Sequence, residues 1–160
     1  MSPAIRPYTT QDLESVIALA LRAWTPVFAS LQAELGRELF VRLHGDWRSY
    51  QAAAVRDVLT TEGVRTWVAE AGGRVTGFAA ASLDRERKLG EIEILAVDPG
   101  HQGSGIGSAL TAVATDWLRE CGMQVAVVET GADPGHAAAR RVYEKADYTL
   151  LGVARYFKPL

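Results

Sequence analysis

EIEILAVDPGHQGSGIGSAL, residues 91–110, changes its hydrophobic period halfway along. The first seven residues alternate: Glu91, Glu93, Leu95 and Val97 share one side, and Ile92, Ile94 and Ala96 the other, as in a β-strand. Asp98 and Pro99 stop the strand. From Ile106 onward the spacing is helical, with Ile106, Leu110, Val113, Trp117 and Cys121 on one face. Between the two lie Gly103, Gly105 and Gly107, each giving up about 1 kcal/mol of helix propensity relative to alanine. A plain strand-to-helix turn needs one glycine. Three at alternate positions let a ligand approach N–H groups at a helix start, where the donors have no intrahelical partner and the helix dipole adds positive character. That combination holds phosphate groups.

Outward from this stretch, AIRPY reads as a short first strand, and Thr9 with Asp12 has the spacing of a helix-capping pair. Leu13, Ile17, Ala20, Leu21 and Trp24 then follow at helical spacing, with the first helix expected to end at Trp24. Residues 25–61 continue as helical segments broken near Gly36 and Gly45. TWVAEAGGRVTGFAAASL reads as a hairpin turning at AGGR, followed by the charged loop DRERKLG. QVAVVET is a further strand, ADPGH a turn and AAARRVYEKA a short helix, and TLLGVARYFKPL is expected to close the fold as a strand with an irregular tail. No internal repeat or long linker is expected. Helices and strands alternate only in part, which points to a mixed three-layer α/β fold in a single domain over residues 1–160. A chain of this length buries about 70% of its unfolded surface.

Composition narrows the function classes. The formal net charge of −2 gives no sign of a nucleic-acid groove. Cys121 stands alone, so neither a disulfide framework nor a cysteine zinc site is expected. His44, His101 and His136 lack companions at ligand spacing, so no metal is expected. The start, MSPAIRPYTTQDLESV, has no basic region followed by an apolar core, and runs such as FAAAS are too short to cross a bilayer. A cytoplasmic protein without membrane or nucleic-acid partners is the expectation.

Two nucleotide readings of the glycine loop fail on particular residues. A Walker loop requires lysine after its last glycine, and Gly107 is followed by Ser108-Ala109. The dinucleotide fingerprint started at Gly103 meets Ser108 at its third glycine position, and started at Gly105 it meets Leu110. What fits is Q/R-x-x-G-x-G/A, satisfied by Gln102, Gly105 and Gly107. Here the chain resembles the GNAT superfamily of acyl-CoA-dependent N-acetyltransferases. LAVDPGHQGSGIGSAL looks like that family's strand–loop–helix for the CoA pyrophosphate, and ARRVYEKADY like its tyrosine-bearing helix. The likeness covers most of the chain and is weakest over residues 25–61.

The resemblance implies a central mixed, mostly antiparallel sheet of six to seven strands with helices on both faces. It implies acetyl-CoA as co-substrate, a small-molecule or peptide amine as acceptor, and a homodimer as a candidate assembly. Tyr143 matches the tyrosine near the CoA sulfur and is the expected general acid. Glu91 is the first candidate for general base, with Glu93 and Glu129 behind it and a water chain as the remaining possibility. Leu95, Ala96 and Val97 would pair with the pantetheine arm through their backbone. Gln102, Gly103, Ser104, Gly105, Ile106, Gly107 and Ser108 would hold the pyrophosphate, with His136 and Ala139 also at the cofactor. Trp24 would line the acceptor pocket. The chain departs from the family at His136, where asparagine is usual, and at Asp147-Tyr148, where Gly-Phe is usual, so Asp147 must accept a glycine's backbone angle. A non-catalytic acyl-CoA sensor and a protein-binding adapter built on residues 25–61 are the competing readings.

Overall fold

The computed structural model describes residues 3–160. One sheet carries five strands in chain order: β1 (Ala4–Pro7), β2 (Arg65–Ala71), β3 (Arg74–Asp84), β4 (Leu89–Val97) and β5 (Val125–Val128). The first four are antiparallel to one another in turn, with Gly72 and Gly73 turning the β2–β3 hairpin as expected. β5 lies parallel to β4, because the connection between them crosses over through helix α3 (Ile106–Glu120). Helices α1 (Leu13–His44) and α2 (Trp47–Thr60) cover one face, α3 covers the other, and α4 (Ala137–Lys145) packs on α3.

The sheet is buried on both faces, and its middle strand shows why. In β3, Phe78 joins the core under α1 and α2 with Val16, Leu19, Val55 and Val68. Its neighbours Ala79 and Ala81 face Ile106, Leu110, Ala114 and Leu118 of α3. Small side chains there let the helices lie close to the sheet. Gly77 goes further, since a Cβ built on it would sit 2.8 Å from Ile106 Cγ2 and 3.1 Å from Leu110 Cδ1. The missing side chain at Gly77 therefore seats the first turn of α3, which positions the glycine loop.

Three expectations are corrected. The first helix does not end at Trp24: it runs on through Pro26, bends at Gly36 (φ +76°), and stops at His44 before Gly45. This helix, from Thr10 to His44, is long and apolar enough by composition to cross a bilayer. Part of that apolarity faces the sheet, where Val16, Leu19 and Ala20 are fully buried, while Val41 and Leu43 are exposed. Lastly, the sheet has five strands rather than six or seven, because residues 149–160 form no strand and make no backbone hydrogen bond among the described residues. Strand-prone side chains do not make a strand until the backbone groups find a partner edge. This segment makes no backbone hydrogen bond with β5.

Candidate active site

The site begins at a fault in the β3–β4 register. Ala80 pairs with Ile94 and Ala81 with Ile92, so Glu93 is an extra residue bulged out of β4. The bulge breaks the strict alternation read from the sequence. Ile92 faces α3 together with Leu95 and Val97, whereas Ile94 and Ala96 face α1. It also coincides with the parting of β4 from β5, whose pairing ends at Ile92↔Val128. Beyond that point β4 stays bonded to β3 as far as Val97↔Gly77. The other edge of residues 93–97 is left without a strand partner, a slot that an extended amide can enter.

At the end of the slot lies the glycine loop. Gly103 (φ +78°) and Gly105 (φ +85°) take left-handed backbone that side chains disfavour. Gly107 is different. It lies inside α3, and a Cβ there would meet Val142 Cγ2 at 3.4 Å. The first α3 amide returned to the loop is that of Ala109, which donates to the Gly105 carbonyl at 3.0 Å. The N–H groups of Gly103 to Ser108 meet no backbone carbonyl among the described residues. They form a patch of free donors at a helix start, an arrangement that suits an anion. Gln102 is turned back to the strand, its Nε2 donating to the Val97 carbonyl at 3.3 Å, and Ser104 donates to the His101 carbonyl.

Tyr143 sits in the last turns of α4, buried except for 8% of its surface. Its ring lies 6.0 Å from that of Tyr148, whose hydroxyl shares a 2.8 Å hydrogen bond with Thr115 Oγ1 of α3. Among the described residues no fully buried side-chain oxygen lacks a partner, and the Tyr143 hydroxyl has none, so the hydroxyl is the part that meets solvent. Burial, with Tyr148 adding to it, pushes the phenol up to about 12. The chain leaves α4 through Asp147 at φ +63°, the left-handed conformation expected at that position.

The three carboxylates share one neighbourhood. Burial pushes the Glu91 carboxyl above its ordinary value, and the charges of Glu93 and Glu129 push it further. Glu93 accepts a hydrogen bond from Ser82 Oγ, across the ladder from Glu91. Glu129 is exposed just past β5. Glu91 is thus half-buried, unpaired by any described side chain, and tuned toward holding a proton.

The tetrapeptide Asp-Pro-Gly-His occurs twice, at 98–101 after β4 and at 133–136 after β5, a short repeat missed in the sequence reading. Both form the same turn, the aspartate accepting from the glycine amide at 3.0 Å. Both aspartates also reach α1. Asp98 takes Arg22 Nη2 at 2.5 Å and Nε at 3.0 Å, while Asp133 takes Ser30 Oγ at 2.8 Å. Arg22 and Ser30 are eight positions apart, about 12 Å along a helix. α1 therefore spans the mouth of the slot and ties down the loops on either side. The Asp133 turn is held further by Arg140, which donates to the carbonyls of Gly131 and Asp133 at 2.7 and 2.8 Å. His136 spends its Nδ1 on Asp133. Ala139 lies half-buried in the first turn of α4, and Trp24 packs half-buried against the core under α1. Ser82, Arg22, Ser30 and Gly77 carry no local signal of their own. The repeated tetrapeptide was the one available clue.

Comparison with known proteins agrees with this geometry. Residues 24–148 match the sequence family described as the acetyltransferase (GNAT) family. The chain is 34% identical over 82 residues to a mycothiol acetyltransferase of Streptomyces avermitilis, a match covering 51% of this chain and 26% of that protein. It thus aligns with about a quarter of the length of that relative. The aminoglycoside N-acetyltransferase AAC(6')-Iy, solved with the bisubstrate analogue CoA-S-monomethyl-acetylneamine, superposes with a TM-score of 0.67 at 18% identity, over 100% of this chain and 99% of that one. The PaiA N-acetyltransferase of Thermoplasma acidophilum, in complex with coenzyme A, gives a TM-score of 0.67 at 19% identity over 91% and 89% of the two chains.

Proposed function

Because the chain belongs to the acetyltransferase (GNAT) family, we propose that it is an N-acetyltransferase carrying an acetyl group from acetyl-CoA to the primary amine of a small molecule or peptide. The observation that carries this reading is the slot where β4 parts from β5, with free loop amides at one end and Glu91 and Glu93 at the other. The residues present fit the co-substrate. The unpaired edge of Leu95, Ala96 and Val97 matches the amides of a pantetheine arm, and the N–H groups of Gly103 to Ser108 match a pyrophosphate.

Acetyl-CoA supplies the acetyl group as a thioester. The acceptor arrives as an ammonium ion, and an alkyl amine with pKa near 10 is neutral about once in a thousand molecules at pH 7, a cost of roughly 4 kcal/mol. Glu91 takes that proton, and its raised affinity for protons makes it a better base than a free carboxylate. The neutral nitrogen then attacks the carbonyl carbon, the carbon–sulfur bond breaks, and the second nitrogen proton passes to the departing sulfur, leaving an amide and a thiol. Tyr143 remains protonated and donates its O–H to the departing sulfur. A thiol with pKa near 8.5 is more acidic than this phenol, so a hydrogen bond to the thiolate is favoured over complete transfer. Glu91, Glu93 and Glu129 together favour a cationic acceptor.

Purified protein is tested with acetyl-CoA, CoA, NAD and ATP in thermal unfolding, then with acetyl-CoA and a panel of amines, aminoglycosides among them, for released thiol. A shift with the CoA species alone is expected, about 2.7 kcal/mol at a hundredfold excess over the dissociation constant. Tyr143→Phe should keep that shift and lose roughly 10²-fold or more in turnover. Binding without thiol release from any amine would favour the sensor; no shift would overturn both.

A further inference from the structure

We propose that Asp133 is a positioning residue that fixes His136 in one tautomer, so that neutral Nε2 accepts a hydrogen bond from an amide N–H of the pantetheine arm and releases it on protonation. Acetyl-CoA in the slot, as proposed above, is the premise; the direction of the contact, the residue that sets it and its dependence on protons are new. Asp133 is a buried carboxylate that acetyl transfer leaves unused, its side chain 8% exposed. Its two oxygens are divided. Oδ2 accepts from Ser30 Oγ of α1 and from the Gly135 amide, and Oδ1 meets Nδ1 of His136. Burial pushes this carboxyl up, but the hydrogen bonds from Ser30 and His136 outweigh it and hold it below its ordinary value. An ionised carboxylate has no proton to give, so the proton between the two groups is carried by Nδ1.

In a neutral imidazole one nitrogen donates and the other accepts. With Nδ1–H given to Asp133, Nε2 keeps its lone pair. Among the described residues no fully buried side-chain nitrogen lacks a partner, and Nε2 has none, so it is the open atom of a side chain that is 23% exposed. The other side of the ring is seated. A Cβ built on Gly131 would sit 2.8 Å from Cε1, so the bare backbone there makes room for the imidazole. The charged groups around it are Asp133 and, from α4, Arg140, which is occupied by the carbonyls of Gly131 and Asp133. α1 presents the neutral Ser30, and Glu129 is exposed at the end of β5.

An acceptor is what this side of the slot lacks. β5 parts from β4 after Ile92↔Val128, and the chain that continues it through Gly131 to His136 no longer offers β4 a ladder. An extended amide turns its N–H and its C=O to opposite sides. An arm bonded through a carbonyl to the free edge of residues 95–97 therefore turns an N–H toward the β5 side. Tyr143 follows His136 by seven residues on the same face of α4, and its hydroxyl is open as well. A proton on Nε2 sets N–H against N–H, and an enclosed amide left without an acceptor binds about 5- to 10-fold more weakly or worse. An asparagine at 136 would offer an amide oxygen at any pH, whereas the histidine loses its lone pair in acid.

The test joins long-range nitrogen–proton spectra of the three histidines to calorimetric titration with CoA at about pH 8 and about pH 5.5, on wild type, His136→Asn and Asp133→Asn. Wild type at the higher pH should show Nδ1 protonated and Nε2 bare, with the Nε2 signal moving when CoA is added. Acidification should weaken CoA binding about 5- to 10-fold more in wild type than in His136→Asn, a comparison that cancels the titration of CoA itself. In Asp133→Asn the Ser30 and Gly135 donors hold the amide oxygen at the Oδ2 position, which turns the NH2 group to Nδ1. That variant should show the reversed tautomer and bind CoA at the higher pH as weakly as acidified wild type. A wild-type Nε2 that carries the proton, an unchanged tautomer in Asp133→Asn, or the same pH ratio in wild type and His136→Asn overturns the proposal while CoA still binds. No CoA binding at either pH overturns the co-substrate reading with it. Should either variant misfold, His44→Gln and His101→Gln assign the third histidine, and the wild-type tautomer and its response to CoA decide.

Discussion

Replacing Gly105 and Gly107 one at a time with alanine separates two reasons for a glycine in the same loop. Gly105 sits at φ +85°, ψ 0°, and a Cβ there would have nothing within 4 Å. Its alanine variant therefore meets no clash and carries the bare cost of left-handed backbone, about 1–2 kcal/mol. In a domain of this size each kcal/mol moves Tm by about 2–4 °C, so Gly105→Ala should melt about 2–8 °C below wild type. Gly107 has helical backbone, and alanine there gains up to about 1 kcal/mol of helix propensity. Against that stand the 3.4 Å contact with Val142 Cγ2 and the 3.7 Å contact with Val97 Cγ2, which ask those side chains to yield slightly. Gly107→Ala should stay within about 1 kcal/mol of wild type, worth at most about 4 °C. CoA binding should follow the same order, because rotating the 105–106 peptide turns donors away while Gly107→Ala leaves them in place. Gly105→Asn, which tolerates left-handed backbone better, should recover part of the loss. Calorimetry with and without CoA reads both quantities. A Gly105→Ala protein as stable as wild type, or a Gly107→Ala protein that suffers more, would refute the assignment of strain to one glycine and packing to the other.

Further outcomes follow from the carboxylates, the tyrosine and the turns. Burial and then Glu93 raise Glu91, so Glu93→Gln should move the acidic limb of the kcat/KM profile to lower pH and Glu91→Gln should abolish it; a limb unmoved by either would remove Glu91 as base. Tyr143 is raised from 10 to about 12, so its contribution to stability is whole below pH 10 and lost as pH climbs from 10 through 12. Denaturant unfolding on both sides of pH 10 should show that decline in wild type and less of it in Tyr143→Phe. Asp133→Ala removes the acceptor of Ser30 Oγ and the partner of His136 and leaves the Gly135 amide only Ser30 Oγ, and should cost about 1–3 kcal/mol in urea unfolding. Asp98→Ala should cost less, about 1 kcal/mol or under, because Arg22 is half exposed and its pairing is screened. Equal losses at the two turns would count against that ranking.

Much of the site could be read residue by residue because its signals are local. The strand at 91–97, the helix from Ile106, the loop glycines and the left-handed demand on Asp147 are all visible within a few positions, and the structure has each where it was expected, although the bulge at Glu93 breaks the period-two alternation. The helix that was expected to stop at Trp24 was harder, since Pro26 looks like a break and the helix passes through it, whereas the break expected near Gly36 is there, at φ +76°. Glu93 is harder still. Nothing in EIEILAV marks one glutamate as the extra residue, because a bulge is a mismatch between two strands and β3 is distant in the chain.

Local order therefore came from the sequence by itself: which segments are strand or helix, where the backbone bends left-handed, and which residue types crowd the loop. Tertiary structure alone decided the pairing: where β4 leaves β5, which glutamate is tied to Ser82 and which stands free, and why Gly77 must lack a side chain beneath Ile106. It also decided that LLGVARYF, rich in strand-forming side chains, is not a strand. Periodicity belongs to a segment, but a hydrogen-bonded edge belongs to two, so the partner must be in place before either can be read.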